Sequence, residues 1–161
     1  TFRRSGFSTR MRVYHQSSHL GDEYLLRGED IDRQNISFES VELLASQDVG
    51  PLRVYAGGER IFRRDPDTLP LKLFHGGAEF RTGRAGPLAL VGGVDIKTTD
   101  LHDWSPAVSG RVGLEMARYG SEAQPSRLLT LVVEVYQGPS PYGQFFQDDI
   151  SYAGIGLHFG L

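Results

Sequence analysis

Along most of the chain apolar residues recur at every second position, the period of a strand with one greasy and one polar face. From Phe7 to Ser17 one parity carries Phe7, Thr9, Met11 and Val13, and the other Ser8, Arg10, Arg12, Tyr14 and Gln16. Leu52, Val54, Ala56 and Gly58 oppose Arg53, Tyr55, Gly57 and Glu59, and Leu88, Leu90, Gly92, Val94 and Ile96 oppose Gly93, Asp95 and Lys97. The split recurs with Val108, Gly110, Val112, Leu114 and Met116 against Ser109, Arg111, Gly113 and Glu115, and with Leu129, Leu131, Val133 and Val135 against Thr130, Glu134 and Tyr136. A last strand sets Ala153, Ile155, Leu157, Phe159 and Leu161 against Tyr152, Gly154, Gly156, His158 and Gly160. From Lys72 to Arg81 the apolar face is Phe74, Gly76, Ala78 and Phe80, turned away from His75, Glu79 and Arg81. From Asn35 to Ser46 neither parity wins, so a bulge or a mixed environment is expected there.

The connectors alternate in character. Gln47 to Pro51, Thr82 to Pro87 and Tyr119 to Ser126 are turn-like, whereas Ser18 to Gln34, Arg63 to Pro70, Thr98 to Ser105 and Gly138 to Asp149 are mostly longer and irregular. About eight strands of about ten residues, with short turns at one end and long loops at the other, describe an antiparallel up-and-down transmembrane β-barrel. The whole of 1–161 is expected to be one such all-β domain. Arg10, Arg12, Arg53, Arg81, Lys97 and Arg111 then share the lumen with Glu59, Glu79, Asp95, Glu115 and Glu134, and the opposite charges neutralise one another. An interior filled this way is a plug rather than an open pore.

Composition removes other classes. With 20 Gly, 39% hydrophobic residues and no Cys, the chain is neither disordered nor disulfide-framed, and it has no catalytic thiol. A formal net charge of -3 gives no case for nucleic acid. No apolar run approaches the roughly 18 residues of a membrane-spanning helix. A soluble β-barrel holding an apolar ligand would alternate in the same way with its greasy face inward, and detergent-free solubility would identify it. The mixed charges on the polar face, the connector lengths and the end of the chain within a strand favour the membrane reading.

The last ten residues, Tyr152-Ala-Gly154-Ile-Gly-Leu157-His-Phe159-Gly-Leu161, resemble the C-terminal sorting signal of bacterial outer-membrane barrels, with Leu161 in the place of the usual terminal aromatic. The resemblance implies location in the bacterial outer membrane, contact with its lipids and with the outer-membrane assembly machinery, and long loops on the outside of the cell. Tyr14-His15-Gln16-Ser17-Ser18-His19-Leu20-Gly21-Asp22-Glu23, with Ile61-Phe62-Arg63-Arg64-Asp65-Pro66, looks like a family of uncharacterised bacterial outer-membrane proteins whose members are longer. Phe2-Arg3-Arg4-Ser5-Gly6 reads as the end of a preceding strand and a tight turn, which suits a C-terminal part of a larger barrel.

Chemistry is most arguable at His15 and Ser17. Two residues apart on a strand, they project to the same side with Cα atoms ~6.6 Å apart, near enough for an imidazole to approach a hydroxyl. Their parity follows Met11 and Val13, so both are expected to face lipid near the outer leaflet. The pair is similar to the His-x-Ser of outer-membrane phospholipase A and of the lipid A 3-O-deacylase. That resemblance implies an Asn or Glu on the next strand to orient the imidazole: Asn35, preferred for its height at the loop end, or Glu39. It also implies a calcium ion near the oxyanion, for which Asp22 and Glu23 are the candidate ligands. The implied activity is serine hydrolysis of ester bonds in phospholipid or lipid A. The competing reading is a non-enzymatic structural or binding barrel, or the wall of a narrow channel. His75, Glu79 and Arg81 are expected to form a lumen network, and His102, Asp103 and Trp104 a loop tip with an interfacial Trp.

Overall fold

A computed structural model describes residues 1–18, 35–83, 85–119 and 125–160. They form one sheet of nine antiparallel strands in sequence order: β1 (Phe2–Arg4), β2 (Phe7–Ser18), β3 (Ile36–Val49), β4 (Leu52–Asp65), β5 (Lys72–Arg81), β6 (Leu88–Thr99), β7 (Ala107–Tyr119), β8 (Pro125–Pro139) and β9 (Asp149–Gly160). The ninth is β1, paired with β2 through a turn in which Ser5 and Gly6 both take positive φ, +50° and +81°. That is the primed geometry whose twist matches a right-handed hairpin, and it explains why Gly follows Ser there. At the β3–β4 turn Gly50 alone, at φ +60°, takes the positive φ, ahead of Pro51. Among the described residues no ladder joins β1 to β9, so the sheet curls without closing.

The connectors differ less in length than the sequence suggests. β4 runs on to Asp65 and β8 to Pro139, which shortens the upper connectors to 66–71 and 140–148, while the lower connector 82–87 is no shorter than 66–71.

Register settles every face. The pairs Arg12↔Glu42, Glu42↔Glu59, Gly57↔His75, His75↔Lys97, Asp95↔Ser109, Arg111↔Glu134 and Glu134↔Gly154 carry one face across the sheet from β2 to β9. All eleven expected lumen charges lie on it. The other face is apolar and open to the surroundings, with Met11 67% and Val13 63% exposed.

The polar face is concave, because its side chains reach past a neighbouring strand to the one beyond. The Tyr14 hydroxyl on β2 donates to Glu59 Oε1 on β4 at 2.5 Å, crossing β3 near the fully buried Ser40. The Tyr55 hydroxyl on β4 donates to Asp95 Oδ2 on β6 at 2.7 Å, crossing β5 at Gly77. A Cβ at Gly77 would stand 2.2 Å from Val94 O and 2.6 Å from that hydroxyl, so only glycine leaves room for the crossing. Arg81 on β5 meets Glu115 on β7 by the same kind of step.

Glu42 on β3 is the most enclosed carboxylate of this face, 5% exposed. Arg10 Nη2 and Arg12 Nη2 donate to its two oxygens at 3.2 and 3.1 Å, and His75 Nε2 lies 3.9 Å away. The expected grouping of His75, Glu79 and Arg81 is thereby divided, with His75 turned to β3 and Arg81 to β7. Inner positions along one strand stand ~6.6 Å apart, so in a curled sheet partners two strands away compete well with neighbours on the same strand.

Asn35 to Ser46 resisted assignment because both its faces carry apolar residues. The inner ones, Ile36 and Phe38, belong to a chamber of about 210 Å³ beneath the upper connectors, together with Ile61, Leu69 and Leu73. The expected irregularity is present, with the β3–β4 register shifting between Glu39 and Ser40, but the additional residue is Phe62 on β4.

Glu42→Ala leaves two guanidiniums facing each other without their acid. It should lower unfolding stability by about 1–3 kcal/mol, less than for a fully buried pair because the arginine side chains remain 46% exposed. The midpoint of urea unfolding measures this, with Glu42→Gln expected to fall between.

Candidate functional site at the upper margin of the outer face

His15 and Ser17 occupy the last two outer positions of β2, and both are exposed. Below them the same face carries Phe7, Met11 and Val13, so the pair stands where apolar surface gives way to polar. Parity alone puts them there, since each lies an even number of positions from Val13.

The β2–β3 ladder then selects their neighbours. His15 is opposite Glu39, and Ser17 is opposite Ser37. Directly opposed residues of an antiparallel pair lie about 4.5–5.5 Å apart at Cα, so Glu39 is the acid delivered to His15. Glu39 Oε1 lies 3.9 Å from His15 Nδ1, close enough for charge attraction but beyond hydrogen-bond length. The side chains are 57% and 34% exposed.

Asn35 has the parity of Glu39 but lies four residues further along, ~13 Å at strand spacing, and is exposed just ahead of β3. The structure therefore brings Glu39 and not Asn35 beside the imidazole. Among the described residues His15 and Ser17 share a face but no hydrogen bond. Asp22 and Glu23, the expected calcium ligands, lie outside the described residues. Among the residues described no group of three or more His, Asp or Glu is placed to hold a metal.

Arg63 is the member that sequence reasoning missed. Its Nη1 approaches Glu39 Oε1 at 3.5 Å. The register explains how: Ser40 pairs with Ile61 and Glu39 with Arg63, so the additional residue Phe62 advances Arg63 by one place and turns it to the outer face. Bulges commonly re-aim a side chain in this way. The available signal was the run Ile61-Phe62-Arg63-Arg64, two apolar residues followed by two basic ones, in which strict alternation fails.

Side chains from the upper connectors hold the margin together. Asp100 Oδ1 accepts the backbone N–H groups of Leu71 and Lys72 at 2.9 and 3.1 Å, which fastens 100–106 to 66–71. His102 Nε2 lies 2.9 Å from Phe146 O, which fastens it to 140–148. Asp103 and Trp104 take φ of +49° and +64°, and Trp104 N–H donates to Thr99 O at 3.0 Å. The turn brings the indole against Phe74 of the outer face, with ring centroids 5.6 Å apart.

A histidine held at Nδ1 by a carboxylate keeps Nε2 for a second partner, the arrangement needed to take a proton from a hydroxyl. His15, Glu39 and Ser17 supply the three residue types on one exposed face. The chain has no native Cys, so cysteine pairs can measure the placement directly. His15→Cys with Glu39→Cys should form a disulfide under mild oxidation, whereas His15→Cys with Asn35→Cys should not. Mobility on non-reducing gels reads the result.

No curated protein and no solved structure matches this chain. The likeness to outer-membrane phospholipase A and the lipid A 3-O-deacylase thus rests on the spacing of His15 and Ser17. With nine up-and-down strands and a polar concave face established, the chain belongs to the family described as "Protein of unknown function (DUF1207)", whose model matches residues 1–161.

Proposed function

We propose that the protein is a β-barrel wall set in the bacterial outer membrane, with the convex face toward lipid and the charged face toward the lumen. One observation carries this reading: the partition of residues is inverted relative to a water-soluble protein. Leu43 is 59% exposed and Val133 51%, whereas Ser40, Glu42 and Ser46 are among the most buried side chains. So large a continuous apolar surface needs a covering, and hydrocarbon supplies it without a partner protein. Strands of 10 to 15 residues are long enough to cross a bilayer at a tilt. The sorting-signal-like end of β9 supports delivery by the assembly machinery of that membrane.

The test exchanges one outer residue. Val133→Arg in the middle of β8 should cost about 2–4 kcal/mol of stability in vesicles and reduce the folded fraction, because a guanidinium is placed at the hydrocarbon midplane. In a water-soluble protein the same exposed substitution should lie within about 0.5 kcal/mol of neutral. Urea titration of the vesicle-refolded chain, followed by tryptophan emission, separates the two, and full solubility without detergent would overturn the membrane reading.

A second reading is favoured by the approach of Glu39 to His15 on the outer face: hydrolysis of an ester in an outer-leaflet lipid. Ser17 Oγ attacks the ester carbonyl while His15 takes its proton. The carbonyl carbon to alcohol oxygen bond breaks, the alcohol leaves with that proton, and water releases the acyl group from Ser17 by the same route in reverse. Glu39 orients the imidazole once the 3.9 Å separation closes to a hydrogen bond, in the part the resemblance gives to Asn35. Ser17→Ala and His15→Ala should each reduce release of fatty acid from phospholipid or lipid A in mixed micelles by about 10³-fold, with the wall still folded. Glu39→Gln should reduce it and Asn35→Ala should not; the reverse would restore Asn35 to that part.

A further inference from the structure

Close to His15 the outer face carries two cations that have no ion pair among the described residues. Arg60 on β4 and Lys72 on β5 are register partners and both exposed. They follow Val13 and Val41 in the same row of outer positions. Like charges directly opposite on an antiparallel pair repel, and neither side chain has an ion pair or hydrogen bond among the described residues. Arg63, 79% exposed, stands beyond Arg60 because of the bulge at Phe62.

Among the described residues no acid of this margin pairs with either side chain. Glu39 is shared between His15 and Arg63, and Asp100 is occupied by the backbone N–H groups of Leu71 and Lys72. Asp65 lies further up, opposite Ser37. The chain as a whole is acidic, at -3, so the concentration of positive charge is local.

Apolar surface begins immediately below. Phe74, the next outer residue of β5, is 55% exposed and packs against Trp104, and Phe62 between the two arginines is 59% exposed. Two opposed cations above an aromatic surface call for a ligand with a compact anion at one end and hydrocarbon at the other. A phosphate oxygen can bridge a guanidinium and an ammonium that otherwise repel, and acyl chains can lie along Phe74 and Trp104.

We propose that Arg60, Lys72 and Arg63 bind the phosphate of an anionic membrane lipid whose acyl chains lie on Phe74 and Trp104. The site rests on the membrane reading above and goes beyond it by assigning a lipid class to one place on the wall. Its affinity should fall with added salt, since these cations sit at the water boundary.

The experiment uses the full chain in maltoside micelles, titrated with dioctanoyl phosphatidylglycerol or dioctanoyl phosphatidylcholine. Emission of the single tryptophan, Trp104, and lipid retained in native mass spectra report binding. Phosphatidylglycerol should bind in preference. Arg60→Gln with Lys72→Gln should weaken that binding roughly twenty-fivefold, about fivefold per cation, without altering the far-ultraviolet spectrum. Arg4→Gln, an exposed cation on β1 at the turn end, should leave it unchanged. Should the double variant lose its fold, Lys72→Gln alone carries the test, with a loss of about fivefold. Equal retention of the two lipids, an unchanged preference in the variants, or equally strong binding of inorganic phosphate would each overturn the proposal while leaving the membrane reading in place. A chain that stays soluble without detergent would overturn both.

Discussion

Burial of charge on the concave face is the constraint from which the rest of this structure follows. A carboxylate as enclosed as Glu42 is costly unless cations meet it, and Arg10 and Arg12 do so from the adjacent strand. Those contacts fix the parity of β2 against β3, because a slip of one residue would carry both arginines to the apolar face and Met11 and Val13 to the charged one. Once these two strands are fixed, each following ladder inherits its faces. The contacts that skip a strand, from Tyr14 to Glu59 and from Tyr55 to Asp95, add curvature to that order. Small residues beneath them, Ser40 and Gly77, are thus as necessary as the charges.

Most of this was legible in the alternation of residues. Every charge assigned to the lumen from parity lies on the concave face, and Ser5-Gly6 announced both a turn and the strand before it. The failures share a cause. Alternation reports the face of a residue within its own strand and says nothing of height relative to the neighbour. The height of Asn35 against His15 depends on the register chosen by β3, and that register sets Glu39 opposite the imidazole. Arg63 was hidden for a related reason, since one additional residue in β4 reverses the parity of everything beyond it. β3 looked ambiguous because its inner upper residues line an apolar chamber, a local reversal of the pattern that holds elsewhere.

The margin where the apolar surface ends concentrates the chemistry. His15, Glu39, Ser17 and Arg63 meet there because four outer positions on three strands converge at the limit of the greasy band. Arg60 and Lys72 stand beside them, and the turn at Trp104 brings an aromatic ring to the same level. Polar groups in this zone touch water and apolar surface together, which suits them to amphiphiles more than to freely soluble ligands.

The three residues of β1 decide which strands can form any seam in the sheet. Strand direction alternates from one strand to the next, so the first and ninth point the same way, and an antiparallel ladder cannot join them. β2 points opposite to β9, and β1 covers it only from Phe7 to Thr9, leaving the stretch from Arg10 to Ser18 without a ladder on that side among the described residues. At the upper end Gly143 already lies so near Ser18 that an added Cβ would stand 3.1 Å from its hydroxyl. The free length of β2 therefore has the direction required to meet β9, and the short first strand limits how far down such a junction can run.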